Sequence, residues 1–217
     1  MKEHCGSKTK ILFAISVFTL FTLSSASTAD ALLISLDSSF GPDTITKDSE
    51  TGLEWLDVPL SAPYSYEGAL AELGSGGVFE GYRIATQHEV LRLLDLAGIP
   101  NIGNSFVPEN YQPIKDLMPY VGITGHNGNL GTGIPFDYTV GHVLETVESL
   151  PGWVYVVGIA VYEPDQTGRA SLGFVPTDND NPRHGTWLVT VPEPSTLLLL
   201  GFGLAGLGAW GLKKRME

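Results

Sequence analysis

Leu197 to Leu212 is an uncharged, glycine-punctuated run of sixteen residues that ends in Lys213-Lys214-Arg215. Such a run is read as a membrane-spanning helix, so the remainder of the chain must supply the folded body. At 1.5 Å per residue it is about 24 Å long, short of the roughly 30 Å hydrocarbon core, but lysine and arginine stems snorkel and the bilayer thins locally. Gly201, Ala205 and Ala209 recur every four residues and form a small-residue stripe where a second membrane helix can approach closely.

The other end has the complementary pattern. Lys2, Lys8 and Lys10 precede an apolar run over residues 11–23, and small residues follow up to Ala29-Asp30-Ala31, an A-x-A cleavage pattern, with Ser27-Thr28-Ala29 as an alternative. A helix of that length spans only about 20 Å, so a cleaved secretory signal peptide over residues 1–31 is predicted in preference to an anchor. Basic residues at both ends favour the cytoplasmic side, which leaves residues 32–190 outside. Cys5, the single cysteine, lies ahead of the apolar run. Cleavage would leave an exported chain with no disulfide, no thiolate nucleophile and no cysteine metal ligand.

Removing the ends sharpens the charge. The chain has 24 acidic and 12 basic residues, but six of the basic ones (Lys2, Lys8, Lys10, Lys213, Lys214, Arg215) and only four of the acidic ones (Glu3, Asp30, Glu193, Glu217) are terminal. The exported part keeps 20 acidic against 6 basic residues, a net charge of −14. Its field repels phosphate backbones and excludes nucleic acid as a partner. Divalent cations, cationic polymers and neutral glycans remain, beside a plain role in solubility.

Val191-Pro192-Glu193-Pro194-Ser195-Thr196, the glycine-rich apolar run and the basic end together resemble the PEP-CTERM sorting signal of exported bacterial proteins. The resemblance implies passage through the secretion translocon and transient anchoring of residues 191–217 by the C-terminal helix. An exosortase, a membrane cysteine protease, would then release or transfer the protein to the cell surface or extracellular space. Pro192, Glu193 and Pro194 would be the sorting motif and Lys213, Lys214 and Arg215 the basic stop. The alternative is a single-pass anchor with a chance Pro-Glu-Pro. Either way the tail is an address and does not reveal a ligand.

No repeat or low-complexity linker divides residues 32–190, which read as one α+β domain with a hairpin-rich C-terminal half. Leu32–Leu36 alternates as a first strand, and residues 43–46 and 53–56 flank a polar turn closed by Gly52. Tyr66, Ala69, Leu70 and Leu73 fall at helical spacing after Ser65, with Gly74-Ser75-Gly76-Gly77 as the stop. Residues 81–85 are short and extended. Thr86-Gln87-His88-Glu89 is a capping box for a helix whose buried face is Val90, Leu91, Leu93, Leu94 and Ala97, ended by Gly98. A short helix is expected over 114–120 after Pro113, a surface loop over 122–135, a hairpin from 154–162 and 169–175 with its turn at 163–168, and a final strand over 186–191.

Thr51-Gly52-Leu53-Glu54-Trp55, followed by Gly81-Tyr82-Arg83-Ile84-Ala85-Thr86, Glu89-Val90 and a closing Gly185-Thr186-Trp187-Leu188-Val189, is similar to the Lcl C-terminal-like family. That family has Trp, Leu and Pro where this chain has Tyr82, Ile84 and Ala85. The resemblance implies a C-type-lectin-like fold, which by itself brings no carbohydrate site.

Glu163-Pro164-Asp165 and Asp178-Asn179-Asp180-Asn181 resemble the two calcium stretches of true C-type lectins, and calcium needs six to eight converging oxygens. Glu163, Asp165, Asp178 and Asp180 are therefore candidate calcium ligands, against the plainer reading that such clusters are what turns contain. Calcium is the one cofactor that these residues suggest. His88, His126, His142 and His184 lack zinc spacing and are expected at the surface, and no Gly-x-Ser-x-Gly elbow occurs. Trp55, Trp153, Trp187, Tyr82 and Tyr155 could line a glycan platform, but strand aromatics more often belong to the core. Arg83 is expected to pair with Glu54 as a structural ion pair.

The sequence thus points to a non-enzymatic surface or matrix protein of the exopolysaccharide or biofilm envelope. The alternatives are a calcium-dependent glycan-binding adhesin and an extracytoplasmic enzyme.

Overall fold

The computed structural model describes residues 33–126 and 136–190. The signal peptide expected over 1–31, Cys5, the sorting motif Pro192-Glu193-Pro194, the apolar run and the basic stop at 213–215 lie outside the described residues. Among the described residues no helix is long and apolar enough to cross a membrane.

Strands β1 (Leu33–Ser38) and β2 (Gly41–Asp48) form an antiparallel hairpin with Leu36 opposite Ile45. β3 (Glu54–Leu56) returns along β2 with Glu54 opposite Lys47, so the polar turn lies where its composition places it. The buried Asp48 carboxylate holds that turn, accepting from the Glu50 amide (2.7 Å) and the Thr51 hydroxyl (2.5 Å), and Gly52 supplies the positive φ of 74°. β4 (Tyr82–Ile84) and β9 (Leu188–Thr190) complete a sheet of order β1-β2-β3-β9-β4. A second sheet has the order β7-β6-β5-β8, from β5 (Asp137–Thr146), β6 (Trp153–Tyr162), β7 (Thr167–Pro176) and β8 (Gly185–Thr186). β8 runs parallel to β5, and the other pairings between these strands are antiparallel.

Among the described residues three α-helices pack on this frame. α1 (Tyr66–Ala71) is capped by Ser65, whose hydroxyl accepts from the Gly68 amide, and it stops before Leu73. α2 (Gln87–Leu96) has both halves of the capping box, and Gly98 at φ 76° follows its end. α3 (Tyr111–Val121) is longer than the span expected from Pro113, because a 3-10 turn over Pro108–Asn110 leads into it and Pro113 falls in the first turn, where an amide has no helical partner anyway.

Period-two alternation divides the first sheet. Trp55 and Val189 face a core shared with Leu93 and Leu94 of α2, Ile114 and Leu117 of α3, and Val157 and Ile159 of β6. Leu56, Ile84 and Leu188 face a second cluster closed by Tyr66 and Phe79. Both faces of this sheet are therefore buried, and α2 and α3 lie in one core with the inner face of the second sheet.

Three expectations are corrected, and β5 stands where the sequence predicted no element. The final strand is two strands, because at Trp187 the chain passes from the second sheet (β8) to the first (β9). Residues 122–126 pair with β5 instead of forming only loop: Gly125 bridges Tyr138, and residues 127–135 lie outside the described residues. β5 carries no apolar alternation in its sequence because Thr139 and Gly141 hold core-facing positions, Gly141 taking the place of a side chain beneath Trp187, while Tyr138, Val140 and Leu144 lie on the less buried face. Arg83 pairs with Glu89, not Glu54, through two bonds of 2.8 and 2.6 Å, while Glu54 pairs with Lys47. The capping box already turns Glu89 back toward residue 86, within reach of Arg83, and this arrangement holds the Glu89 carboxyl down at about 2.

Candidate binding groove

On the second sheet, residues of one parity (Val157, Ile159, Ala170) fill the core. Residues of the other parity, Tyr138, Val140, Gly158, Ala160, Arg169 and Ser171, line a groove of about 250 Å³. The register makes it: Tyr138 lies opposite Ala160 and Val140 opposite Gly158 on β5 and β6, and Ala160 lies opposite Arg169 and Gly158 opposite Ser171 on β6 and β7. The floor at 158 and 160 is low because one residue has no side chain and the other a single methyl. A Cβ at Gly158 would come within 3.0 Å of Val140 Cγ2.

Arg169 dominates the chemistry of this groove. Its Cζ lies 4.9 Å from the centroid of the Phe106 ring, which stacks edge-on against Phe136 (5.7 Å) and Tyr162 (6.2 Å). Nε is out of contact with solvent and has no hydrogen-bond acceptor. Among the described residues Arg169 makes no ion pair and no hydrogen bond. Burial alone pushes its pKa down. Opposite it, His184 closes the groove, with Nδ1 against the Asn179 amide nitrogen at 3.2 Å.

His142 corrects the expectation of surface histidines. Placed on β5 between β6 and β8, it is fully buried, its Nδ1 3.2 Å from Thr186 Oγ1, its ring edge-on to Tyr66 (6.0 Å) and His184 (6.2 Å), and its Nε2 unpartnered. Thr186 and the nearby Ser61 are equally buried, so this hydroxyl and imidazole cluster is sealed from any substrate. Burial and the neighbouring His184 lower the His142 pKa from 6.5 to about 4. In the unfolded chain the ring protonates first as pH falls, so its contribution to stability is present above 6.5 and lost towards 4, by on the order of 3 kcal/mol. Asp57, raised to about 6 by burial and by Asp43, has the opposite sign: its contribution is complete below 3.8 and lost as pH rises through 6. The difference between proteins isolates the histidine. His142→Phe is expected to remove most of the acid loss between pH 6.5 and 4 in thermal melts, and an unchanged pH slope would contradict the assignment.

The other described histidines are at or near the surface. His88 and His126 are exposed, with His126 Nδ1 2.7 Å from Asp137, and His184 is half-buried. The four candidate calcium ligands are not brought together. Glu163 and Asp165 precede β7 and Asp178 and Asp180 follow it, and ten residues of strand separate the pairs by about 30 Å. Glu163 is engaged by Lys115 (3.0 Å) and by the Tyr111 hydroxyl (2.5 Å). Asp165, Asp178 and Asp180 are exposed. Among the described residues no three His, Cys, Asp or Glu side chains gather as a metal-ion set. Of the aromatic residues, Trp55 and Trp187 are core and Tyr82 is half-buried. Trp153 and Tyr155 lie beside the half-exposed Phe174, with Trp153 edge-on to it at 5.7 Å and Tyr155 directly opposite it across the strands.

Sequence reasoning missed Arg169. The available signal was its isolation: it is the single basic residue between Lys115 and Arg183, and Gly168 and Ala170 flank it on a strand.

Residues 190–215 match the PEP-CTERM protein-sorting motif. The match implies export and a C-terminal sorting signal processed by exosortase, consistent with a cell-surface or extracellular protein. No curated protein matches the chain, and neither does any solved structure.

Proposed function

We propose that the chain is a surface or matrix protein whose exported α+β body has a lectin-like, non-enzymatic binding role in the exopolysaccharide envelope, and that exosortase removes its C-terminal helix after export. The observation that carries the sorting half is the motif match over residues 190–215. The binding half is supported by the groove over Gly158 and Ala160, in which a cation with no partner among the described residues and aromatic walls offer a small ligand both charge and apolar contact. The lectin-like reading draws on the Thr51 to Trp55 turn and strand, the capped α2 and the closing strand β9 set between β3 and β4.

Mass spectrometry of protein recovered from the cell surface tests the sorting. The expected mass lacks Lys213-Lys214-Arg215, and Glu193→Ala is expected to leave the protein uncleaved in the membrane fraction. An intact tail on the surface form would overturn processing. Retention of the released protein on exopolysaccharide, compared with an unrelated acidic protein, tests the binding half.

A further inference from the structure

The binding half of that reading can be taken to a ligand class. Arg169 holds a full positive charge in a groove with no counter-charge among the described residues, and its guanidinium is kept in place by the Phe106 ring instead of by acceptors. Desolvating a cation without a partner is costly, and a bound anion offsets that cost. A guanidinium fork pairs with carboxylate or phosphate, and two features favour the carboxylate. The exported part has a net charge of −14, which disfavours a multiply charged phosphate far more than a monoanion. The lining is mixed as well: Ser171 and His184 supply hydrogen-bonding groups, while Gly158, Ala160, Val140 and the Tyr138 ring supply a flat apolar bed.

The volume also limits the ligand. At about 250 Å³ the groove lies below the range of roughly 300–1,000 Å³ usual for drug-sized ligands, and it suits a single ring. We propose that the groove is a subsite for a hexuronate, a sugar ring bearing one carboxylate. The carboxylate pairs with the Arg169 guanidinium, the carbon face of the ring lies over Gly158 and Ala160, and the hydroxyls meet Ser171 and His184. The inference rests on the proposed binding role, and sorting of the protein does not depend on it.

The test uses the full-length chain in detergent, titrated with methyl glucuronide and followed by calorimetry and by the arginine Nε–H resonances. Saturable binding is expected, with the Arg169 Nε–H signal moving in step with it. Methyl glucoside, which lacks the carboxylate, should bind at least tenfold more weakly, as should inorganic phosphate and benzoate. Arg169→Gln is expected to weaken methyl glucuronide at least tenfold. Arg169→Lys, which keeps the charge and loses the fork, should also lose affinity while preserving the thermal melt, and Ser171→Ala gives a milder loss without touching the cation. Absence of saturable binding, equal binding of methyl glucoside, phosphate or benzoate, or indifference to both Arg169 variants would overturn the proposal. Exopolysaccharide retention that persists in Arg169→Gln would overturn this subsite and leave the broader binding role standing. Loss of retention by the unaltered protein would remove the broader role itself.

Discussion

Trp187→Ala is expected to lower unfolding stability by about 3–5 kcal/mol, the range for deleting a buried large aromatic side chain, out of a total of roughly 5–15 kcal/mol for a domain. The indole is fully buried and meets Trp55 edge-on at 6.2 Å and 87°. It also ties the two sheets together. Its amide donates to the His142 carbonyl (3.0 Å), its carbonyl accepts from the Ala85 amide (2.8 Å), and Nε1 donates to the Val157 carbonyl (3.2 Å). Truncation therefore opens a cavity and also removes the Nε1 hydrogen bond to the Val157 carbonyl, an added cost of about 1 kcal/mol. Trp187→Phe keeps much of the burial and loses the N–H, so it should fall between the two. Urea denaturation reads the difference, and a loss below about 1 kcal/mol for alanine would contradict this joint between the sheets.

Gly185→Ala is the second large effect, and it arises from overpacking. A Cβ at this position would lie 2.2 Å from the Val58 carbonyl oxygen, 2.7 Å from Val58 Cγ1 and 3.0 Å from Ser61 Oγ. The nearest of these is backbone, in a turn held by the Ser61 hydroxyl donating to the same Val58 carbonyl at 2.9 Å, so it cannot swing aside as a flexible side chain would. β8 must move instead, which strains its parallel pairing of Gly185 with Gly141 and of Thr186 with His142. The expected cost is about 1–3 kcal/mol or more. Gly103→Ala is the matched control: a Cβ there meets nothing within 4 Å, and the change should stay within about 0.5 kcal/mol. Equal melting temperatures for the two variants would show that the Val58 turn yields easily.

Local chemistry was legible where it is self-contained. The α2 capping box, the Ser65 cap and the glycine-closed turn after Asp48 each depend on residues within a few positions, and the structure places all three as their spacing predicts. Features set by distant partners were not legible. β5 reads as a mixture because α2, α3 and the core lie on one side of its sheet while His184 and Tyr66 approach the other. The last strand seemed continuous because nothing in Thr186-Trp187-Leu188 marks a change of sheet. The same holds for the groove: Arg169 meets a ring 63 residues earlier in the chain, and its neighbours are set by cross-strand register. In the converse way, the acidic stretches 163–165 and 178–181, joined in the sequence by composition alone, stand at the two ends of β7.

The place of β9 has a consequence for the timing of export. The strand is the last described element of the chain, yet it lies between β3 and β4, and the sorting motif match begins at its final residue, Thr190. Until residues 188–190 have crossed the membrane, β3 and β4 have no common partner and the indole of Trp187 is missing from the core. The exported body is thus unable to close until the stretch that opens the sorting motif has also been exported. With two residues from Thr190 to Pro192, a span of at most about 7 Å, the finished fold is tethered close to the motif that a processing enzyme has to reach.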